Sequence, residues 1–357
     1  MTDLLYSETE EDLRAAVRSL VAARGDTTAL AVRAEAGSPH DPRWWTSLAA
    51  EMGAAGLLVP EKLGGQGASH REAAVVLEEL GRGVVAAPYL TSSVIATEVL
   101  LGLGTETEAV SGLLGALAEG RRTAVLAVPL TTAPGGPLPD GGGRITGVAD
   151  AASADVLLVP RADGLYAVEA AQAAIEALTP LDLTRPLAAV TAPDGGTLLA
   201  GAAAGEAAVR RGLLAGAGLL ASEQLGLAEW CLQETVRHTG ERHQFNRPIG
   251  SFQALKHRMA QLWLEVVSAR AAARSAADAL ATGSPETPLS VAVAQAYCSR
   301  VAVHAAEECV QLHGGIGMTW EHPAHLYLKR AKADEIALGT PGRHKEVLAG
   351  LVDLRAP

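Results

Sequence analysis

Cysteine, phenylalanine and basic charge are all scarce in this chain, and each shortage removes a class of protein. The three cysteines, Cys231, Cys298 and Cys309, stand far apart with no C-x-x-C pair, which fits reduced core thiols; neither a disulfide frame nor a metal site is expected. Lys and Arg number 29 against 40 Asp and Glu, a net charge of -11. Nucleic-acid binding needs a concentrated basic face, so no nucleic-acid partner is expected. A polyanionic small ligand stays open wherever basic groups gather locally. No apolar run reaches the length of a membrane span, and the opening Met-Thr-Asp-Leu-Leu-Tyr-Ser-Glu has no basic stretch ahead of an apolar one. A cytoplasmic protein is therefore expected. Phenylalanine occurs only at 245 and 252, a bias that we attribute, with the abundance of Ala and Gly, to GC-rich coding. Apolar residues at 48% still suffice for packed cores, and 357 residues for two or three of them.

Both phenylalanines fall in one stretch, Arg242-His-Gln-Phe-Asn-Arg-Pro-Ile-Gly-Ser-Phe-Gln253, between long segments of helical periodicity. Arginine offers a planar fork of donors for phosphate, and phenylalanine a face on which a heterocycle can lie. From these residues alone the stretch reads equally as an anion-and-ring site or as the solvated loop of a helix hairpin.

Taken in order, the first 120 residues read as a helical domain. Ser7 with Glu10 forms a capping box ahead of Leu13, Val17, Leu20 and Val21, with Gly25 as a stop. Asp41-Pro42 opens a helix ending at Gly53, Ser69 with Glu72 opens one ending at Gly81, and Thr105 with Glu108 opens another. A turn-rich crossing spans Gly56 to Gly65, and of Trp44 and Trp45 one should be core and one half-exposed. Across 121–204 the period becomes strand-like, in short apolar runs at 124–128, 144–148, 156–159, 165–168, 187–191 and 197–199. These predict a small antiparallel barrel or sandwich, with Asp182-Leu-Thr-Arg185 as a turn holding a salt bridge. From 205 to 357 the chain is helical again. One helix should cover Ala207 to Thr239, with Gly216 and Gly218 admitting a neighbour's backbone. A second carries the stripe Leu255, Met259, Leu262, Trp263, Val266 and Val267. A third runs from Thr287-Pro288 to Leu312, stopped by Gly314-Gly315, and a last covers Pro323 to Ile336. These predict a four-helix bundle. The whole is a mainly α chain with a β middle domain.

That order, and the words inside it, resembles the flavin-dependent acyl-CoA dehydrogenase family over essentially the whole chain. The matching pieces are Trp45 through Gly65 with its Leu-Val-Pro-Glu, Leu77-Glu-Glu-Leu-Gly81, and Arg242-His-Gln-Phe with Pro248-Ile-Gly-Ser-Phe-Gln253. Gln311-Leu-His-Gly-Gly-Ile-Gly317 with Glu321-His-Pro completes the set. The resemblance implies FAD shared across a subunit interface, an acyl-CoA substrate, and an electron-transfer flavoprotein or similar acceptor. It further implies that Arg242, Phe245, Gln311 and Gly315, helped by Gln244, contact the adenine and pyrophosphate part of FAD bound mainly by a neighbouring subunit, and that Gly314 and Thr340 also belong to the cofactor-binding residues. Such contacts suit a bidentate guanidinium, an amide and a close backbone. His243 and His313 are expected to cap or to orient ligands.

Two departures shape the expectation. The family's base is the glutamate of a Glu-Gly-Thr word, which here reads Leu338-Gly339-Thr340; the alternative position on the first bundle helix is Gly216, and the nearest acid, Glu223, lies two turns further on. The middle domain has Thr131-Thr-Ala-Pro where flavin-contacting residues are usual, no Gly-Ser-Asp word, and no tryptophan between Trp45 and Trp230. This pattern is similar to the short, base-lacking subunit of heteromeric α2β2 dehydrogenases acting on bulky CoA thioesters such as steroid side chains. A homomeric flavoenzyme with a relocated base or monooxygenase chemistry, and a noncatalytic scaffold, are the alternatives.

Overall fold

The computed structural model describes residues 3–24 and 27–354. Helix α1 (Glu8–Arg24) opens on the expected box: the Ser7 N–H donates to Glu10 Oε2 at 2.6 Å and the Glu10 N–H to Ser7 Oγ at 3.2 Å. Val17 is buried, with Leu13, Leu20 and Val21 packed around the same core. Gly25, read as the stop, lies outside the described residues. Helix α2 (Thr27–Glu35) follows, and α3 (Pro42–Thr46), capped by Asp41, continues as π-helical turns to Glu51 before Gly53 reverses the chain at φ +73°. Trp44 is buried and Trp45 half-buried. Helix α4 (His70–Arg82) carries the Ser69/Glu72 box but runs through Gly81 instead of ending there.

A helix that periodicity does not announce occupies 89–102, as π-helical turns over Tyr89–Ala96 leading into α5 (Thr97–Gly102). Every residue of its first part is buried. With no polar face there is no 3.6-residue pattern to detect. Helix α6 (Glu108–Ala118) is capped by Thr107, whose Oγ1 accepts from the Val110 N–H, and not by Thr105.

Seven strands follow: β1 (Ala124–Leu126), β2 (Ile145–Ala149), β3 (Val156–Arg161), β4 (Gly164–Glu169), β5 (Ala174–Leu178), β6 (Leu187–Thr191) and β7 (Thr197–Gly201). They form two sheets, ordered β1-β3-β4-β7 and β2-β6-β5. Val125, Leu157, Val159 and Val168 from one sheet meet Ile145, Val148, Ala188 and Val190 from the other in a shared core, so the unit is a sandwich and not a closed barrel. The alternate residues Ala124, Leu126, Val156 and Leu158 join the main core instead. One pairing corrects the antiparallel expectation: β1 runs parallel to β3. Between them the chain crosses to the other sheet to form β2, and a crossover of that length permits parallel pairing. Strand β5 is largely exposed, and Glu176 breaks the apolar run that would have marked it.

The remainder is the helical bundle. Helix α7 (Ala202–Glu241) starts five residues before the expected Ala207; then come a small hairpin of β8 (His243–Gln244) and β9 (Arg247–Pro248), α8 (Gln253–Thr282), α9 (Thr287–His313) and α10 (Ala324–Ile336). A further helix, α11 (Pro341–Leu351), was not anticipated; Thr340 caps it and Pro341 begins it. Contacts fix the directions. Gln295 meets Ala217 O and His313 stacks on His238, so α7 and α9 run the same way. Arg270 pairs with Glu229, and Tyr327 stacks on Trp230, so α8 and α10 run opposite to α7. The C-terminal ends of α7 and α9 therefore share one end of the bundle. In the stripe of α8, Leu262 and Val266 are buried, but Trp263 points outward with 59% of its surface exposed.

Glycines set how closely α7 is crossed. A Cβ on Gly81 would collide with Glu223 O, and one on Gly226 with Glu78 O, so α4 and α7 meet backbone to backbone. That explains why Gly81 sits inside a helix. Gly216 and Gly218 face side chains, Ile95 at the first and Leu280 with Val291 at the second, rather than a neighbour's backbone. Among the described residues no helix is long and apolar enough to cross a membrane.

Candidate functional site

The stretch from Arg242 to Gln253 is an ordered device at the shared end of α7 and α9. His243 pairs with Pro248 and Gln244 with Arg247, leaving Phe245 and Asn246 as a two-residue turn with φ +53° and +58°. Positive φ at both central residues defines the hairpin turn whose twist matches its strands, and it is costly for phenylalanine. The consequence is an aromatic ring held in solvent, 87% exposed. Phe252 stands edge-on to it with ring centres 6.0 Å apart, and Arg247 lies 3.8 Å over the Phe252 ring. Gly250 presses this hairpin onto the α7 backbone, since a Cβ there would stand 3.0 Å from Thr239 O. Arg242 ends α7 with an exposed side chain, and its carbonyl accepts from the Ile249 N–H at 2.8 Å. The Gln244 amide turns back on the His243 carbonyl at 2.9 Å, and His243 Nδ1 bonds to Glu241 O.

At the end of α9, Gln311 is exposed, and Gly314 bends the chain at φ +64° into a short 3-10 turn, Gly314–Met318. A Cβ on Gly314 or Gly315 would meet nothing within 4 Å, so the two glycines leave open space outside the fold. An exposed ring, an exposed guanidinium and bare backbone at one end of the bundle are what a flat heterocycle with a phosphate group needs. Thr340 lies elsewhere in this chain; it is exposed, and its Oγ1 accepts from the Arg343 N–H at 3.2 Å as the cap of α11.

The two base positions converge inside the same chain. Leu338 is buried in a left-handed turn (φ +54°), with its N–H on Leu130 O at 2.7 Å and its carbonyl held by His344 Nε2 at 3.0 Å. A Cβ built on Gly216 would stand 3.3 Å from Leu338 Cδ1 and 2.6 Å from Ile95 Cγ1. Around this point remains a cavity of only about 20 Å³, bounded among others by Thr91, Ile95, Leu126, Leu213 and Leu338. That is room for about one water. No lining residue is ionisable, and its one hydroxyl, on Thr91, is committed to Asp150 Oδ2 at 2.7 Å. No side chain lining this point is placed to take a proton from an acyl α-carbon. Thr91 and Ile95 come from the buried helix that lacks a periodic signal, so sequence reading missed them.

Glu223 is engaged elsewhere. It is buried and accepts from Arg185 Nη2 at 2.5 Å and Arg330 Nη1 at 2.6 Å. Arg185 also bonds Asp334 at 3.0 Å, while Arg330 also holds Asp182 and Thr184 Oγ1. Asp182 to Arg185, expected as a turn holding a salt bridge, does form ion pairs, but with Glu223, Asp334 and Arg330, and so pins the loop before β6 to α7 and α10. Three carboxylates face two guanidiniums; burial pushes the Asp334 carboxyl up to about 8, and its Oδ2 has no partner. Both hydrogen bonds to Glu223 come from arginines, so it stands as an ion-pair partner within this network.

Beside this closed centre, a cavity of about 340 Å³ lies between Ala133–Gly135, α7, the start of α9 and α11. Its wall is apolar, with Arg210, Arg211 and Arg343 among the lining residues. Each arginine already pairs with an acid, Glu206, Glu98 and Glu346 respectively.

Comparison with known proteins agrees with the architecture. Residues 7–120 match the acyl-CoA dehydrogenase N-terminal domain and 203–351 the acyl-CoA dehydrogenase C-terminal domain. The acyl-CoA dehydrogenase IpdE2 of Mycolicibacterium smegmatis is 37% identical over 335 residues, 94% of this chain and 96% of that protein. In the crystal structure of the ChsE4-ChsE5 complex from Mycobacterium tuberculosis, a chain 26% identical superposes with a TM-score of 0.87, covering 100% of both chains. A chain of the Tcur3481-Tcur3483 steroid acyl-CoA dehydrogenase, in its G363A variant, is 27% identical with a TM-score of 0.83, covering 97% of this chain and 98% of that one. With the helical, β and bundle units in the family's order, the chain belongs to the acyl-CoA dehydrogenase family.

Proposed function

We propose that this chain is one subunit of a heteromeric acyl-CoA dehydrogenase and serves an unlike partner, in an α2β2 assembly, as the outer half of its FAD site. The observation that carries this reading is the closed centre: Leu338, Gly216 and Ile95 leave about 20 Å³ where both base positions converge. The end of the bundle, by contrast, keeps its ring, guanidinium and open glycines on the surface. FAD, when bound, supplies the acceptor for the hydride leaving Cβ of the acyl-CoA. In this chain Arg242 would neutralise the pyrophosphate, Phe245 cover the adenine, Gln311 read its edge, and Gly314 and Gly315 admit it to backbone distance; Gln244 is a weaker contact, since its amide already bonds the His243 carbonyl, and Thr340, which caps α11 away from this end, is left out of the clamp. The partner supplies the base and the ring pocket. The likeness to a two-chain complex and to a steroid acyl-CoA dehydrogenase supports both the heteromer and a bulky, steroid-derived acyl group.

The test is to purify the chain alone and together with the product of an adjacent acyl-CoA dehydrogenase gene. The expected result is a colourless, inactive single chain and a yellow, active complex that loses most of its FAD on Arg242→Ala. A yellow, active homomer would sink the reading, and full FAD retention by the Arg242→Ala complex would remove the clamp from it.

A further inference from the structure

Three side chains at the clamp end of the bundle have no part in the functions above. Glu234 sits two turns before the end of α7, His313 is the last residue of α9, and His322 lies two residues before α10. One ligand atom from each, a carboxylate oxygen and a ring nitrogen of either histidine, lies within 4.8 Å of the other two. Glu234 Oε1 is 3.5 Å from His313 Nε2 and 3.4 Å from His322 Nε2. Charge-assisted hydrogen bonds are shorter, about 2.7–2.9 Å. The edge of a tetrahedron around a cation with bonds of about 2.0–2.1 Å is roughly 3.3–3.4 Å, which is close to the spacing observed.

The decisive group is His313. Its side chain is wholly buried, and its Nδ1 donates to Cys309 O at 2.6 Å. That commits Nδ1 as a donor and leaves Nε2 facing Glu234 Oε1 at 3.5 Å. Nε2 itself is buried with no hydrogen-bond partner. A buried ring nitrogen and a carboxylate oxygen set beyond a good hydrogen bond leave a place for an ion, which would displace any proton on Nε2. An imidazole whose far nitrogen is tied to a carbonyl while the near one stays open is the usual arrangement of a metal-bound histidine. His238, stacked on the ring with centres 4.1 Å apart, holds it in place.

We propose that Glu234, His313 and His322 bind one divalent transition-metal ion, Zn²⁺ by the chemistry of the ligands, with water in the fourth position. Two imidazoles and a carboxylate suit zinc and disfavour calcium or magnesium, which take oxygen ligands. Three contacts give way, the first being the long hydrogen bond from His322 Nε2 to Glu234 Oε1 at 3.4 Å, whose proton the ion replaces. The Ala324 N–H, now on His322 Nδ1 at 3.2 Å, is released because an ion at Nε2 leaves the ring proton on Nδ1. Arg237 keeps Glu234 Oε2 at 2.8 Å and surrenders Oε1, which its half-exposed side chain can do. The ion would tie the ends of α7 and α9 to the segment leading into α10.

The experiment uses the full chain, stripped with chelator and titrated with Co²⁺ and then Zn²⁺. The expected result is one ion per chain, the intense visible absorption of tetrahedral Co²⁺, its displacement by Zn²⁺, and a Tm that climbs with Zn²⁺ concentration. His322→Ala and Glu234→Gln should each weaken binding at least tenfold. His322 also contacts the start of α10, so Glu234→Gln serves as the variant that leaves that helix untouched. No binding at micromolar ion, or unchanged affinity in both variants, would overturn the site. So would a thiolate-to-Co²⁺ charge-transfer band, which would place the ion on Cys231 or Cys309 instead.

Discussion

Leu338 and Gly216 stand side by side: a Cβ added to the glycine would lie 3.3 Å from Leu338 Cδ1. They come from opposite ends of the last 150 residues, and they are the two positions where the family resemblance leads one to expect a base. Neither carries a carboxylate, and Ile95 fills the space beside Gly216.

Restoring a carboxylate at that point should not restore an enzyme. In Leu338→Glu the new group is buried with no donor to receive it apart from its own turn, at a cost of roughly 3 kcal/mol or more. Chemical denaturation should show that loss, and a dye-coupled assay of the single chain should stay at background. Dehydrogenase activity in this variant would mean that the cavity opens far more than its 20 Å³ suggests.

Glu223→Gln separates a structural carboxylate from a catalytic one. It leaves Arg185 and Arg330 with one negative partner fewer in a buried network, for which about 3–5 kcal/mol is the usual loss. The expected readout is a lower denaturation midpoint, with flavin content and turnover of the complex unchanged once the variant is folded. A stable variant whose turnover alone disappears would restore Glu223 as a base.

Asp334 gives a pH signature. Its carboxyl is raised by burial to about 8 in the fold, against about 4 in the unfolded chain. Between those values the folded state holds a proton that the unfolded state has lost, so this group makes stability fall as pH rises from about 4 to about 8, with no further change above. Asp334→Asn should flatten that part of the Tm profile between pH 5 and pH 9. An unaltered slope would place the proton elsewhere in the network.

Two glycines of the same helix should answer oppositely to alanine. Gly226→Ala drives a methyl into Glu78 O where α4 crosses α7, costing about 1–3 kcal/mol. Gly240, near the end of α7, has nothing within 4 Å of an added Cβ, so Gly240→Ala should gain about 0.5–1 kcal/mol from helix propensity. Urea midpoints of the two variants test the crossing directly.

Phe245→Gly relaxes a left-handed position and should hold or slightly raise stability, by up to about 1 kcal/mol. Under the proposed clamp it should nonetheless weaken FAD retention by the heteromeric complex, measured as flavin released on dilution. Equal loss of stability and flavin would make the ring a packing group.

Local chemistry was legible in the sequence because it depends on neighbours along the chain. The Ser7/Glu10 and Ser69/Glu72 boxes, the Gly314 stop and the helix starts at Pro42 and Pro288 all follow from backbone groups and side chains within four residues of one another. The motifs also pointed to an ordered connection at Arg242 and to leucine where a glutamate is expected at 338, though not to the strand pairing inside that connection. What escaped had no local signature. The buried helix at 89–102 shows no polar face, and β5 no apolar run. The parallel pairing of β1 with β3 is set by a partner about thirty residues away. Only the packed fold decided that Gly81 is a crossing and not a stop, and that Glu223 belongs to Arg185 and Arg330. It alone brought Glu234, His313 and His322 together, because their meeting depends on α7 and α9 running the same way, a property of packed helices that no spacing along the chain encodes.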